Sequence, residues 1–326
     1  MQRPRFLFAP LLGLLTLGAA VSASAQSLDP RSYVDTPVGM NFVVGGYGYN
    51  WGGVLVDPTL PLKDADITAH GPFLAYARAI DFWGVSGKVQ AIGNYFCLDG
   101  SAEANGVRVT RNVCGLGDPG ANVSVNFIGA PALSLSEYPR YRQKLLVGGS
   151  FAVIVPIGQY DPTKLVNIGT HRWSFRPQIG VSRALGRLIL EFIGSATFYT
   201  TNGDFDNGRV RSQAPVYSGQ LNVVYTFRSG IWGALGGTLY GGGRVTTDGV
   251  KGEEFQENWR LGATLVFPVG RRNALKLFGS TGLYTRTGSD FNTLAASWIY
   301  RWGGRKFPKH AAGQPAPEPP PVPFAP

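Results

Sequence analysis

Few side chains in this sequence have the types and spacing that catalysis requires. The histidines are His70, His171 and His310. Barrel phospholipases and lipid A deacylases place a serine two residues after the catalytic histidine, whereas here Ser174 follows His171 by three positions. On a strand these two side chains would point to opposite faces. No nucleophile–base pair fits this spacing, so we predict no catalytic residue and no enzyme.

The two cysteines, Cys97 and Cys114, flank a predicted loop. In an oxidising compartment, two cysteines at paired strand ends predict a disulfide that closes the loop. A metal site would need more ligands close by. We therefore expect a disulfide between Cys97 and Cys114, and neither a metal nor a cofactor.

Charged side chains on predicted strands fall mainly on the polar face. Those expected to line an interior are Lys88, Arg176, Glu191, Arg228, Arg260, Lys276, Arg286 and Arg301. Two interpretations stay open: a lining that favours anionic solutes, and a structural network of arginines with Glu191 and amide side chains. The net charge is +10, but the basic residues are scattered and lack a nucleic-acid-binding motif, so no nucleic-acid partner is expected.

Long alternating strands must position these residues. Residues 216–228 place Tyr217, Leu221 and Val223 on one face and Gln220 and Asn222 on the other. Thirteen residues exceed the usual length of a soluble strand and suffice for a tilted strand to cross a bilayer. The pattern recurs along the chain, with short and long connections in alternation. It predicts an all-β, transmembrane, antiparallel up-and-down β-barrel of about twelve strands (ten to fourteen allowed) over residues 41–302. Both termini would then be periplasmic.

Alternation alone would also suit a secreted β-sandwich. Tryptophans near strand ends favour the barrel, because membrane barrels carry aromatic girdles at both interfaces. The girdle candidates are Trp83, Trp173, Trp232, Trp259, Trp298 and Trp302. Trp302 also resembles the terminal aromatic residue that barrel-assembly machinery recognises.

The two ends of the chain differ from the strand region. Residues 1–25 have the basic, apolar and small-residue parts of a cleavable signal peptide. Residues 26–40 are predicted to be a periplasmic lead-in, and the proline-rich residues 303–326 a disordered tail. These features predict a bacterial outer-membrane protein in contact with lipids and lipopolysaccharide.

Several motifs carry a resemblance to a known family. They are PVGMNF (37–42), LAYAR (74–78), GLGDP (115–119), YRQ (141–143), GQYDPTKLVNIGTHRWSFRPQIGVSRALG (158–186) and NWRLGATL (258–265). The chain resembles outer-membrane proteins labelled as transporters or as proteins of the meta-cleavage pathway of phenol degradation. The resemblance implies a barrel like the uptake channels for hydrophobic compounds, and it carries over no binding residues.

These observations favour a passive outer-membrane channel for small, aromatic or hydrophobic solutes. Its selectivity would come from the interior charges and from an outer loop such as residues 159–171. The alternative is a non-transporting barrel, plugged by its loops, with a structural or surface-contact role. A lipid-acting barrel enzyme is the weakest hypothesis.

Overall fold

The computed structural model describes residues 30–54, 62–104, 107–227, 230–253, 255–286 and 289–307. The predicted signal peptide, most of the predicted tail and the lumen candidate Arg228 lie outside these ranges. Within them, no helix is long and apolar enough to cross a membrane.

The described residues are almost entirely strands and connections, with one 3₁₀ turn at Tyr138–Arg140. The strands are β1 (Met40–Val54), β2 (Leu62–Phe82), β3 (Val85–Ala104), β4 (Val107–Leu116), β5 (Gly120–Ile128), β6 (Leu145–Ile154), β7 (Ser174–Leu185), β8 (Leu188–Tyr199), β9 (Asn202–Phe205), β10 (Arg209–Gln213), β11 (Val216–Thr226), β12 (Trp232–Gly242), β13 (Val245–Thr247), β14 (Val250–Lys251), β15 (Gln256–Val269), β16 (Asn273–Thr285) and β17 (Ser289–Gly303).

Thirteen strands form one sheet in the order β2-β1-β17-β16-β15-β12-β11-β8-β7-β6-β5-β3-β4, and β2 also pairs with β3. That last pairing closes the sheet. β4 pairs with the second half of β3 and β5 with its first half, so these two strands share one position in the wall. The result is a closed antiparallel barrel of twelve strands, and the predicted fold class is confirmed.

The two faces of the wall are those expected from the alternation. In β11, Tyr217 and Leu221 are exposed on the outside, while Gln220 and Asn222 are buried inside. The interior holds such polar side chains together with a cluster of buried apolar ones that includes Phe42, Val44 and Trp232. An apolar outer band is typical of barrels that are solvated by lipid.

The two ends of the barrel differ in their connections. The turn end, where β1 begins and β17 ends, carries the short links β2–β3, β7–β8, β11–β12 and β15–β16, and one long link, residues 129–144. The loop end carries the longer connections and a separate four-stranded sheet, β14-β13-β10-β9.

Candidate functional site: the barrel interior

The residues ahead of β1 lie inside the barrel. We call residues 30–39 the lumen segment. Tyr33, Val34, Asp35 and Thr36 in it are at most 4% exposed. This corrects the predicted periplasmic lead-in, at least for the described residues 30–39, since they fill the turn end of the interior.

Interior charges hold the lumen segment in place. The Arg31 backbone N–H donates to Glu191 Oε2 over 2.6 Å. Lys88 Nζ donates to the carbonyls of Ser32 at 2.9 Å and Val34 at 3.1 Å. A buried ammonium and a buried carboxylate need such partners, because desolvating an unpaired charge is costly. The segment therefore satisfies two charges that the wall points inward.

A cleft between two glycines receives the aromatic ring of Tyr33. A Cβ added at Gly148 on β6 or at Gly180 on β7 would overlap that ring. The Tyr33 hydroxyl lies 3.5 Å from Ser150 Oγ. The absence of side chains at these two wall positions thus leaves the space that the ring occupies.

A second layer, residues 129–144, covers the lumen segment at the turn end. The Val38 N–H donates to the Leu133 carbonyl at 2.9 Å, and the Tyr138 hydroxyl donates to the Asp35 carbonyl at 2.9 Å. Beyond β17, the Leu135 N–H donates to the Arg305 carbonyl at 2.8 Å, and Arg305 forms a 3.2 Å ion pair with Asp81. Three chain segments therefore close this end together. Gly304 and Arg305 bond to the lumen segment, which corrects the predicted disordered tail 303–326 for these first residues.

Burial shifts the ionisation of the groups in this layer. Desolvation raises the pKa of Asp35 to about 6, although Lys88 nearby favours the charged carboxylate. Burial, and to a lesser extent the charge of Asp35, raise the pKa of Tyr138 to about 12. Burial lowers the pKa of Arg31, against the opposing influence of Tyr138 and Glu191. Asp35 is therefore the group in this layer whose charge can change near neutral pH.

The loop-end half of the interior is different, because its arginines lie on aromatic rings. The Arg172 guanidinium lies 4.3 Å from the centre of the Tyr199 ring, and that of Arg260 lies 4.0 Å from the centre of the Phe291 ring. At the rim of this half, Phe255 is contacted by both Arg244 and Arg286. Arg172, Arg244 and Arg260 form no ion pair with a described carboxylate. This half is therefore a basic and aromatic surface.

The connection between β6 and β7 is fixed across the loop end by one carboxylate. Asp118 lies between β4 and β5, and its Oδ1 accepts from the Gly158 N–H at 2.8 Å. Its Oδ2 accepts from the N–H and the hydroxyl of Thr170, both at 2.7 Å. Asp118 thus fastens both ends of the loop that the sequence singled out for selectivity.

The predicted interior charges divide between the two halves. Lys88 and Glu191 belong to the network around the lumen segment. Arg260 and Lys276 are buried inside, Arg176 is half-buried on an inward-facing position of β7, and Arg301 donates to the Arg271 carbonyl at the turn end. Lys88 and Glu191 thus hold the lumen segment at the turn end, and a lining that selects anionic solutes stays a prediction for the charges of the loop-end half.

Arg286 is a correction to the predicted lining. It follows the last residue of β16 at the loop end, where its side chain is 45% exposed and lies 3.7 Å from Glu257. It belongs to the rim because the strand ends before its position.

Five of the six girdle candidates have exposed side chains: Trp83, Trp173, Trp259, Trp298 and Trp302. Trp232 is instead fully buried inside the barrel, with the Arg31 guanidinium 5.1 Å from its ring centre. Its strand places Leu235 and Leu239 outside, so Trp232, on the opposite parity, faces inward. The positions of Leu235 and Leu239 in the sequence would have indicated which face of this strand is outward, and hence that Trp232 faces inward.

Cys97 and Cys114 form a disulfide between directly opposed residues of β3 and β4. The described residues between them, 98–104 and 107–113, pair as two antiparallel strands that continue beyond the barrel wall, where the sequence predicted a loop. Among the described residues, no three His, Cys, Asp or Glu side chains come together as a metal site would require.

Sequence reasoning missed Arg31, Tyr33, Asp35, Asp118 and Arg172. The first three lie before any alternating pattern begins, so periodicity could not find them. A usable signal was the pair Lys88 and Glu191, two inward charges far apart in sequence that required partners from elsewhere.

The sequence matches a family model over residues 35–298, described as "Putative MetA-pathway of phenol degradation". The chain belongs to this family. Among curated proteins none matches the sequence.

Solved structures resemble the fold of this family member. An outer membrane channel from Pseudomonas putida F1 is similar with a TM-score of 0.68 at 18% identity, covering 85% of this chain and 100% of that chain. The transport unit of the autotransporter AIDA-I from Escherichia coli gives 0.48 at 12% identity, covering 86% and 94%. The beta domain of the Bordetella autotransporter BrkA gives 0.46 at 11% identity, covering 81% and 100%. At 18% identity, the first likeness shows the fold, which is that of an outer-membrane barrel.

Proposed function

We propose that this protein is an outer-membrane channel for passive uptake of small solutes, and that the arrangement with the lumen segment inside the barrel is its closed state. The observation that carries the proposal is the nature of the closure. The lumen segment fills the turn end through hydrogen bonds to wall residues such as Glu191 and Lys88, beside a cluster of buried apolar side chains that includes Phe42, Val44 and Trp232. These hydrogen bonds can be exchanged for water when the segment leaves the lumen, and the opening also exposes apolar surface of the neighbouring cluster.

The orientation follows from this proposal. The turn end, with both chain ends, would face the periplasm, and the loop end would face outward, as in barrels with short periplasmic turns. Residues 1–25 would direct export as a signal peptide and be removed, and residues beyond 307 would form a periplasmic tail. Lipids and lipopolysaccharide would surround the wall. The barrel-assembly machinery would recognise Trp302 near the end of β17.

Small aromatic or hydrophobic compounds are the proposed solutes. The family description refers to phenol degradation, and the loop-end half offers aromatic rings such as Tyr199 and Phe291 beside arginines. No catalytic role is proposed: the His171 ring is stacked 4.6 Å from that of Tyr160, three positions before the buried Ser174.

Single-channel recording in planar bilayers tests the proposal. The wild-type protein should show rare, small openings. A variant with residues 31–36 replaced by glycine and serine should conduct persistently, because it lacks the side chains that fill the turn end. A silent variant that retains the folded barrel by heat-modifiable gel mobility would contradict the channel proposal.

A non-transporting, permanently plugged barrel is the second candidate. The three-segment closure at the turn end favours it, since Arg305, Asp81 and residues 129–144 all reinforce the lumen segment. A deletion strain with unchanged solute uptake but altered envelope integrity would support this role over transport.

A further inference from the structure

One patch of the interior wall carries four polar side chains on two adjacent strands. In the β12–β15 register, Thr238 is opposite Arg260 and Tyr240 is opposite Asn258. All four face inward. Directly opposed residues have Cβ atoms about 5 Å apart, and successive residues on one face lie about 7 Å apart along the strand. The four side chains therefore form one compact group.

The hydrogen-bonding capacity of this patch is incompletely used. Thr238, Tyr240, Asn258 and Arg260 are at most 3% exposed. Within the described part of the chain, both Asn258 amide atoms and Arg260 Nη1 have no hydrogen-bond partner, and the Thr238 and Tyr240 hydroxyls interact with each other and with no further hydrogen-bonding group. Nearly all buried polar groups in proteins are paired, so four neighbouring side chains with unused donors and acceptors are suited to bind a polar group.

The charge around the patch is positive. Arg260 uses only Nη2, toward Ser280 Oγ at 3.0 Å and the Phe291 carbonyl at 2.9 Å, and it has no ion-pair partner among the described carboxylates. Arg176 and Arg260 both act electrostatically on the Tyr240 hydroxyl. Asp290 also acts on Arg260 but is exposed, so water screens its influence.

We propose that Thr238, Tyr240, Asn258 and Arg260 bind the carboxylate of a small organic acid inside the barrel. The proposal rests on the channel function and names its substrate class. A carboxylate has two oxygens with about four lone-pair sites. The patch offers Arg260 Nη1–H, the Asn258 amide N–H and two hydroxyls, which match that number. Asn258 Oδ1 remains free for a hydroxyl group of the solute or for a water molecule.

The surroundings suit an aromatic or aliphatic acid. The Phe291 ring beneath Arg260 and the Tyr240 ring provide apolar surface for the body of the molecule. From the loop end, Arg172 and Arg244 on their aromatic rings offer earlier contacts for the same anion. In the closed state the four groups of the patch are out of contact with solvent, so the acid enters as they separate.

Ligand-dependent melting of the full-length protein in detergent tests the site. Benzoate should raise the melting temperature in a saturable manner, and benzyl alcohol, which is of similar size, should not. Chloride, added as sodium chloride, should raise the melting temperature only at much higher concentrations than benzoate. Equal effects of benzoate and benzyl alcohol would mean apolar binding alone and would overturn the proposal. Absence of any benzoate effect would also overturn it.

Matched variants locate the binding. Tyr240→Phe and Thr238→Val each remove one hydroxyl and keep the side-chain shape, so each should weaken benzoate binding about fivefold to tenfold. Thr264→Val removes a buried hydroxyl from an inward position of β15 outside the patch and should change the dissociation constant less than about twofold. Equal losses in all three variants would place the binding elsewhere.

The binding-site proposal and the channel proposal can be refuted independently. Benzoate binding to a barrel that never conducts would retain the site and refute the channel. Conduction without benzoate binding would retain the channel and refute the site.

Discussion

The ring of Tyr33 lies against Gly180 and occupies the space that the Cβ of any other amino acid at position 180 would need. This contact links a residue that precedes β1 to β7, the sixth of the twelve strand positions in the barrel wall. It makes glycine at this point a requirement for the closed state.

Gly180→Ala should therefore displace Tyr33 and open the turn end. We expect a higher open probability in single-channel recording and faster labelling of a cysteine introduced at Ser32. Gly194→Ala is the matched control, because the nearest atom to its added Cβ is 4.0 Å away. If Gly180→Ala labels no faster than Gly194→Ala, the ring does not depend on this cleft.

Asp35 should make closure depend on pH. Its pKa is raised to about 6 in the seated segment, against 3.8 for the free group. The carboxyl is thus easier to seat when protonated. This contribution is fully present below about pH 4 and is lost as pH rises through 6, and it amounts to about 3 kcal/mol.

Labelling at position 32 should accordingly accelerate between pH 4 and pH 7 in the wild type. Asp35→Asn, which is neutral throughout, should flatten that profile. A profile that stays unchanged in Asp35→Asn would assign the dependence to another group.

The β6–β7 connection, which covers the loop end of the barrel, should need Asp118 to stay in place. Asp118→Asn keeps the size of the side chain but loses the charge that strengthens three hydrogen bonds, at a cost of about 2 kcal/mol to the local closure. Limited proteolysis should then cut within residues 157–171 faster than in the wild type. Asp161→Asn is the control, because among the described residues the Asp161 carboxylate accepts hydrogen bonds only from Thr163 within the same loop and bonds to no other element. Equal cutting of both variants would show that Asp118 does not fasten the loop.

The disulfide should stabilise the β3–β4 hairpin more than the barrel. Its cysteines are 17 residues apart, and a loop of that size corresponds to about 3 kcal/mol in the chain-entropy model. The Cys97→Ser, Cys114→Ser double variant should show faster hydrogen exchange in residues 98–113. Exchange in β11 and β12 should remain unchanged, and a uniform increase across the barrel would contradict a local role.

The strands could be predicted because their two faces meet different solvents. Residues such as Tyr217 and Gln220 alternate since one face meets lipid and the other the interior, and this period is visible in the sequence. Trp232 was misplaced because the many glycines of β12 weaken that period. The lumen segment could not be predicted, since its positions are set by contacts with distant residues such as Glu191 and Lys88. Arg172 and Asp118 lie between regular elements, where no period exists.

All fifteen residues of β1 pair with β17, so the first strand is completed only by the last. Until residue 303 has been delivered, both β1 and the newest strand expose unpaired backbone edges that would join any other extended chain. The nascent protein must therefore be kept apart from its copies on its way to the membrane. A chain that ends before β17 should aggregate rather than form a smaller cylinder.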